Sequence, residues 1–484
     1  MTISNLMSSR VKIEHEAIMK HKFKSGLFVA ALFAMNALLP ASAQPAFTNL
    51  YSFSANPGGN SDGANPQDGL ILSGNTLYGT AVNGGTYGWG TVFAINTDGT
   101  GFTNLHSFNH NDGSTPFTSL VLSGNRLYGA ASSGGTYTHG TVFAINTDGS
   151  SFTNLYDFTG GNDGGNLQGG LILSGNTLYG TAEQGGTNSV GTVFKVNTDG
   201  TEFAVLYTFS NSPDGAGPQA GLILAGNTLY GTTEGGGALG PEGFNSEGTV
   251  FAINTDGSGY RILHNFTDLF GSGTSDGLQP YAGLILSGDT LYGTTRYGGT
   301  NSRGTVFAIN TNGNDYAILY NFTKEDNNVN NSDGSSPTAG LISSGNTLYG
   351  TASAGGVYGQ GTVFAINTDG TGFTNLFNFG TENSGNNPVA GVALSGATLY
   401  GTMPTGGDGT IFALSLVPSL GIVSAGNQVV LSWPMWAPNF GLQTTANLSA
   451  GSWSNITSGI NIVSDSYVFT NVVNGPAAFF RLMQ

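Results

Sequence analysis

The chain has 484 residues, of which 38% are hydrophobic and 11% aromatic, enough for a substantial folded core. Only 8% are charged, against about 25% in an average globular protein, and the absence of cysteine excludes disulfides, thiolate metal sites and cysteine nucleophiles. The formal net charge of −16 argues against nucleic-acid binding, because so acidic a chain cannot neutralise a phosphate backbone.

Residues 1–43 are predicted to be a signal peptide. A basic stretch, "KHKFK" (20–24), precedes the apolar "GLFVAALFAMNALL" (26–39), which is too short for a membrane-spanning helix, and "ASA" (41–43) suits a signal peptidase. Met19 is an alternative start to the first methionine, because it opens a leader of ordinary length. Cleavage leaves seven basic and 26 acidic residues, a net charge of −19. We therefore expect an exported protein, secreted or at the bacterial cell surface, with no membrane insertion after cleavage.

A unit of about 51 residues then occurs seven times. Each copy offers four short strands, A ("GLILSG"), B ("TLYGTA"), C ("GTVFAIN") and D ("FTNLYSF"), with turn signals between A and B and between C and D. The "LYG" tyrosines mark the copies: Tyr78, Tyr128, Tyr179, Tyr230, Tyr292, Tyr349 and Tyr400. Four antiparallel strands with this period are typical of a β-propeller blade.

The two ends of the repeat region complement each other. It opens with a D strand (47–53) that has no C strand before it, and it closes with a C strand (409–414) that has no D strand after it. We therefore predict an all-β protein in which residues 44–416 form a seven-bladed β-propeller of four-stranded antiparallel blades, with the ring closed by the N-terminal strand. The rival is an open solenoid, whose ends would need distinct polar caps.

Residues 417–484 lack the repeat. They carry strand-like runs such as "NQVVLSWP" and "AAFFRLMQ", together with Trp433, Trp436 and Trp453. This pattern predicts a small C-terminal module resembling a β-sandwich.

The loops divide the predicted ring into two unequal faces. The A–B and C–D turns keep one length in every complete copy, and we call their side the constant face. The B–C loops range from 7 residues (402–408) to 16 (232–247), and the D–A loops range from 10 residues (109–118) to 17 (323–339). We call their side the variable face. In repeat folds, the face that carries the length variation is often the binding face.

Six of the seven D–A loops contain Asp-Gly. Their carboxylates are Asp62, Asp112, Asp163, Asp214, Asp276 and Asp333. A ring of carboxylates could bind Ca²⁺ or a polyhydroxylated ligand, but a residue present in nearly every copy is expected to fix its own turn by accepting backbone hydrogen bonds. No recognised calcium motif supports a metal, so no cofactor is predicted.

Aromatic side chains and one histidine occur in some B–C loops and not in others. They are Tyr87, Trp89, Tyr137, His139, Phe244, Tyr297 and Tyr358. Exposed aromatic rings suit the C–H faces of sugars, and these residues are the candidate ligand-binding site. The alternative is that they pack over the ends of the hairpins.

No catalytic arrangement is evident. The sequence contains neither a zinc-binding H-E-x-x-H, a G-x-S-x-G elbow nor a P-loop, although a carboxylate pair could still be assembled from distant loops. No catalytic residue is therefore predicted, and a polysaccharide-active enzyme stays open as a lesser alternative.

The repeat resembles a known family. The segment "DGANPQDGLILSGNTLYGTAVNGGTYGWGTVFAINTDGTGFTNL" (62–105) is similar to the Gloeo/Verruco (GloVer) tandem repeat of exported bacterial proteins, because D-G-x-x-P, L-Y-G-T, G-G and G-T-V-F recur in that order across 47–414. The C-terminal "LSWP…FGLQ…W…FFRL" resembles a module of secreted verrucomicrobial proteins. The resemblance implies export and attachment to the cell surface, and it supplies no activity and no catalytic residues.

The leading hypothesis from the sequence is a secreted, monomeric, non-enzymatic propeller that serves as an extracellular binding or structural scaffold. The alternative is a carbohydrate-binding lectin that uses the B–C aromatic residues. The expected partner is a polysaccharide or another cell-surface component.

Overall fold

The computed structural model describes residues 45–54, 61–238, 247–267, 276–326, 330–380, 384–418, 420–425, 428–434, 440–445, 453–463, 466–472 and 478–483. The predicted signal peptide and Trp436 lie outside them. Strands, bridges and turns make up the regular structure of these residues, and no helix among them is long and apolar enough to cross a membrane. Two compact units are present, Phe47–Leu414 and a second that contains Ser415–Gln484.

The first unit consists of seven four-stranded antiparallel sheets. Blades one to four contain β2 Ile71–Ser73, β3 Thr76–Ala81, β4 Thr91–Asn96, β5 Thr103–Ser107; β6 Val121–Ser123, β7 Arg126–Ala131, β8 Thr141–Asn146, β9 Thr153–Asp157; β10 Ile172–Ser174, β11 Thr177–Ala182, β12 Thr192–Asn197, β13 Ala204–Thr208; and β14 Ile223–Ala225, β15 Thr228–Thr233, β16 Thr249–Asn254, β17 Arg261–Asn265. Blades five to seven contain β18 Ile285–Ser287, β19 Thr290–Thr295, β20 Thr305–Asn310, β21 Ala317–Asn321; β22 Ile342–Ser344, β23 Thr347–Ala352, β24 Thr362–Asn367, β25 Thr374–Asn378; and β26 Ala393–Ser395, β27 Thr398–Met403, β28 Thr410–Ser415 with β1 Ala46–Ser52.

The predicted closure of the ring is confirmed. Strand β1 pairs with β28 in the order β1-β28-β27-β26, so the N-terminal strand is the fourth strand of blade seven. The backbone N–H of Phe53 donates to the carbonyl of Gly409 at 3.0 Å. The same bond in blade one joins Phe108 to Gly90, also at 3.0 Å. Because the repeat region begins and ends in blade seven, β28 is paired on both sides and has no exposed edge.

The core lies between blades. The B and C strands are buried on both faces, as blades in a closed ring must be, whereas the D strands at the outer edge are partly exposed. Each D strand stacks an aromatic ring on the first aromatic residue of the next D strand, and this contact recurs seven times around the ring. In the last of these contacts, Phe377 of blade six lies 4.7 Å from Phe47 of β1. The N-terminal strand thus belongs to blade seven and also packs against blades six and one.

The second unit contains two antiparallel sheets. Its strands are β29 Gly421–Ala425, β30 Gln428–Pro434, β31 Gly441–Thr445, β32 Ser454–Asn455, β33 Ile460–Val463, β34 Ser466–Val472 and β35 Phe479–Met483. One sheet has the order β29-β30-β34-β33 and the other β32-β31-β35. Leu431 and Trp433 of the first sheet and Leu442 of the second belong to one buried cluster, as expected for the predicted β-sandwich-like module.

Candidate functional site

Repeated backbone hydrogen bonds join the loops on each face of the propeller. On the variable face, each D–A loop pairs with the B–C loop of the next blade, as where Ala64 and Asn83 exchange backbone hydrogen bonds of 2.8 and 3.0 Å. On the constant face, each C–D turn donates to an A–B turn of the same blade, as from Thr97 to Asn75 at 2.8 Å. These repeated bonds hold both sets of loops to a common frame, so residues at equivalent positions in different blades can be compared directly.

The repeated carboxylates fix the turns in which they lie. Asp163 accepts hydrogen bonds from the Tyr156 hydroxyl at 3.2 Å, from the Thr159 backbone N–H at 2.8 Å and from the Thr159 hydroxyl. The other five likewise accept from a D-strand tyrosine or histidine and from the backbone N–H that follows the D strand: Asp62, Asp112, Asp214, Asp276 and Asp333. These contacts occupy the carboxylates in joining each D strand to its own loop.

The loop between blades six and seven lacks the repeated Asp, and its D strand lacks the partner of that Asp. Ser384 stands where the other loops have Asp, and Phe377 stands where the other D strands have Tyr or His. The carboxylate and its hydroxyl or imidazole partner are thus lost together. Nowhere in the described ranges do three or more His, Asp or Glu side chains form a group that could hold a metal ion.

Three of the predicted aromatic residues lie at exposed loop tips. Tyr87, Tyr137 and Tyr358 occupy the same position in the B–C loops of blades one, two and six, and their exposed fractions are 61%, 54% and 50%. Their rings therefore present surface to solvent on the variable face.

The other predicted residues are placed differently. Trp89 and His139 share the position just before the C strand, where each packs on the D–A loop that leads from its own blade to the next one. The Trp89 ring is 4.8 Å from that of His110, and a Cβ on Gly160 would lie 2.5 Å from the His139 ring. Tyr297 is the second residue of its loop, and its ring centroid lies 5.0 Å from the guanidinium of Arg296. The predicted Phe244 lies outside the described residues.

A polar cluster on blades three to five was not predicted. It becomes visible when the seven residues that directly follow the B strands are compared: Val82, Ser132, Glu183, Glu234, Arg296, Ser353 and Pro404. Except at the proline, the backbone N–H at this position donates to the preceding D–A loop, as from Glu183 to Asn166 at 3.1 Å. The backbone is therefore held alike in six blades, and three consecutive ones present charged side chains.

Gln219 links the two carboxylates of this cluster. Its amide Nε2 donates to Glu183 Oε1 at 3.4 Å and to Glu234 Oε2. Since one nitrogen contacts both oxygens, these oxygens are at most about 6 Å apart. Glu183 also accepts from the side-chain amides of Asn166 and Gln168. Two carboxylates from different blades are thus held side by side by amide groups.

Arg296 completes the cluster on blade five. Its guanidinium lies 5.7 Å from the ring centroid of Tyr281 and 5.0 Å from that of Tyr297. Its Nε is buried without a hydrogen-bond acceptor, and the Oε1 of Gln219 is buried without a donor, as far as the described part of the chain extends. The cluster therefore contains both a donor and an acceptor whose hydrogen-bonding capacity is unused.

Burial dominates the electrostatics of the cluster. It raises the pKa of Glu183, an effect opposed by the amide of Gln168 and reinforced by the negative charge of Glu234. Burial also raises the pKa of Glu234, with Arg296 lowering it and Glu247 raising it. Both carboxylates are thus less well solvated than an exposed glutamate, which strengthens any hydrogen bond that they accept.

Blade one has a carboxylate just before its A strand, at a position where the other blades have none. Asp68 precedes the A strand of blade one, accepts from the Ser119 hydroxyl of blade two at 2.9 Å and from the Gly69 N–H at 2.6 Å, and has its pKa raised by burial to about 6. These bonds make it a contact between two blades.

A cavity of about 460 Å³ lies between blades six and seven. Its lining includes Asn49, Gln360, Asn386 and Thr410, and none of the predicted site residues. The D–A loop beside it contains residues 381–383, which are outside the described ranges, so we assign it no ligand.

Several solved structures are distantly similar to this chain. Among solved structures it is similar to an oligogalacturonate lyase in complex with manganese (12% identity, 78% of this chain and 96% of that chain, TM-score 0.47). It is also similar to TolB from Acinetobacter baumannii (15%, 59% and 59%, TM-score 0.34) and to a chain of a nidogen/laminin complex (16%, 58% and 86%, TM-score 0.36). No chemistry of this chain follows from such distant likenesses, and no curated protein matches.

The family is established by the repeat itself. The Gloeobacter/Verrucomicrobia repeat matches residues 37–241 and, in a second overlapping match, 160–329. Together these matches span more than half of the chain and cover its first five blades in whole or in part. The chain therefore belongs to the Gloeobacter/Verrucomicrobia repeat family.

Proposed function

We propose that the protein is an exported, non-catalytic binding scaffold that takes an extracellular polysaccharide on its variable face. One observation carries the proposal. In the described part of the propeller, every exposed large apolar side chain lies in a B–C loop: Tyr87, Trp89, Tyr137, Val357 and Tyr358. The other large apolar side chains of the described propeller are buried or partly buried, and packing gives no reason for exposed tyrosines on one face.

The chemistry of these loops suits sugars. Tyrosine rings offer flat apolar surface to sugar C–H groups, and the surrounding threonine and glycine residues expose hydroxyls and backbone groups for hydrogen bonds. The three tyrosine tips lie on blades one, two and six, on both sides of blade seven, so they offer several contact points on one face. A polymer can use several weak contacts at once and so gain affinity by multivalency.

The histidines of the D strands support a non-catalytic role. His106 stacks on Phe152 with ring centroids 3.7 Å apart and bonds to Asp112 at 3.1 Å. His264 stacks on Tyr316 at 3.8 Å and bonds to Asp276 at 2.8 Å. In both pairs the imidazole stands where other blades have tyrosine, so the His–Asp bond continues a structural contact of the ring.

The test is binding of the mature protein to an array of neutral, acidic and basic polysaccharides. We expect binding, and we expect the triple variant Tyr87→Ala, Tyr137→Ala, Tyr358→Ala to lose it. The matched control replaces the same three residues by Phe, which keeps the rings and should preserve most of the binding. If the protein binds nothing on the array, or if the alanine variant binds as the wild type does, the proposal is wrong. Release of reducing ends from any bound polysaccharide would contradict the non-catalytic part.

A further inference from the structure

We propose that the cluster formed by Glu183, Gln219, Glu234 and Arg296 is a subsite for the hydroxyl groups of a neutral sugar. The inference rests on the proposed function, because it names the class of polysaccharide and the residues that recognise it. It concerns blades three to five, whereas the exposed tyrosines lie on blades one, two and six.

The first argument is position. Charged residues are scarce in this chain, yet three occur at one repeat position in three consecutive blades. The equivalent residues of the remaining blades are Val82, Ser132, Ser353 and Pro404, so the repeat fold does not require charge there. A feature confined to part of a ring of similar blades is a specialisation of that part.

The second argument is unused hydrogen-bonding capacity. The buried Nε of Arg296 lacks an acceptor and the buried Oε1 of Gln219 lacks a donor, so far as the described ranges show. Buried polar groups in folded proteins nearly always have a partner, in the protein or in bound solvent, so both atoms are open to a further hydrogen bond. A bound hydroxyl group has the chemistry that both atoms lack, because it can accept from the Nε of Arg296 and donate to the Oε1 of Gln219.

The third argument is charge, and it selects the ligand class. The carboxylates of Glu183 and Glu234 would repel an anionic ligand, and the guanidinium of Arg296 would repel a cationic one. A neutral hydroxyl is repelled by neither. It can donate to a carboxylate and accept from a guanidinium or amide, and neighbouring hydroxyls on a sugar ring can do both together.

The aromatic residues complete the match. The guanidinium of Arg296 lies over the rings of both Tyr281 and Tyr297, 5.7 and 5.0 Å from their centroids. Cation–π contacts hold the guanidinium plane in place without using its N–H groups, which leaves those groups available to a ligand. The subsite is therefore preorganised, with its acceptors fixed by amides and its donor fixed by aromatic rings.

The experiment measures affinity for a neutral polysaccharide by isothermal titration calorimetry. Glu234→Ala and Arg296→Ala should each weaken binding about tenfold or more, because each removes a charge-assisted hydrogen bond. The matched controls are Glu202→Ala and Arg126→Ala, which remove the same residue types from the constant face, and both should bind as the wild type does. Thermal melting of each variant verifies that it is folded. Binding should also change little with salt, since a neutral ligand has no charge to screen.

The outcomes separate this inference from the function on which it rests. If the wild type binds a neutral polysaccharide and both variants bind equally well, the subsite is wrong and the binding scaffold stands. If it binds only acidic or only basic polysaccharides, with steep salt dependence, the ligand class is wrong and the scaffold again stands. If it binds no polysaccharide, both proposals fail.

Discussion

Closure of the ring by the N-terminal strand makes a sharp energetic prediction. Phe53 follows β1 and is 4% exposed, with its ring 5.4 Å from Phe93 and 5.8 Å from Phe102. Phe108 is its equivalent in blade one, at 0% exposure, 5.2 Å from Phe143 and 5.8 Å from Phe152. If β1 is docked as described, Phe53→Ala and Phe108→Ala should cost nearly the same free energy of unfolding.

The size of the effect follows from the burial. Truncating a buried phenylalanine to alanine typically costs about 3–5 kcal/mol. The propeller unit spans 47–414, and at about 2 cal/mol/K per residue its unfolding entropy near the midpoint is about 0.8 kcal/mol/K, so each substitution should lower Tm by about 4–7 °C. Differential scanning calorimetry of residues 44–484 measures both shifts. A Phe53→Ala variant that melts with the wild type, beside a Phe108→Ala variant that melts several degrees lower, would show that β1 does not close the ring.

Four further predictions concern single residues. Gly180→Ala places a Cβ within 2.7 Å of Phe194 Cζ and should cost about 1–3 kcal/mol by overpacking, measured by urea denaturation with an alanine at an open turn glycine as control. Asp163→Ala leaves the Tyr156 hydroxyl and a backbone N–H without their acceptor and should cost about 2–3 kcal/mol in the same assay, with no loss refuting its role in the turn. Burial and Asp163 raise the pKa of Tyr156 from 10.0 to about 12. The stability that this shift contributes is fully present below pH 10 and should be lost as the pH rises to about 12. The free energy of unfolding of Tyr156→Phe should not show this alkaline loss. Burial raises the pKa of Glu183, so its ionisation costs stability as the pH rises above the ordinary carboxyl range near 4.5; the free energy of unfolding of the wild type should therefore fall relative to that of Glu183→Gln between pH 4 and pH 7, and parallel pH profiles would refute this.

Much of the fold could be predicted from the sequence because the chain contains seven copies of one structural unit. The spacing of the "LYG" tyrosines predicts the number of blades, and the unpaired C and D strands at the two ends predict the closure that β1 and β28 show. The Asp-Gly turns could also be interpreted without a structure. A residue repeated in six loops is expected to serve the repeat, and the bonds of Asp163 are of that kind.

The site was harder to predict because it is assembled between blades. Glu183 and Glu234 are far apart in sequence, and only the packing of blade three against blade four brings both to the amide of Gln219. A comparison of the seven copies position by position reveals the three consecutive charged residues, but it cannot reveal that one amide joins two of them. Likewise, Trp89 and Tyr87 are close in the same loop, yet the ring of His110 in the next D–A loop decides that Trp89 is the less exposed of the two.

The most direct test of a binding role for the variable face is hydrogen exchange with and without a saturating neutral polysaccharide. Bound ligand should slow exchange in the B–C loops that follow β3, β7 and β23 and in the segments that follow β11, β15 and β19. The turns of the constant face, such as 73–76 and 96–101, should exchange at unchanged rates. Protection confined to the constant face, or to the C-terminal unit, would contradict the account.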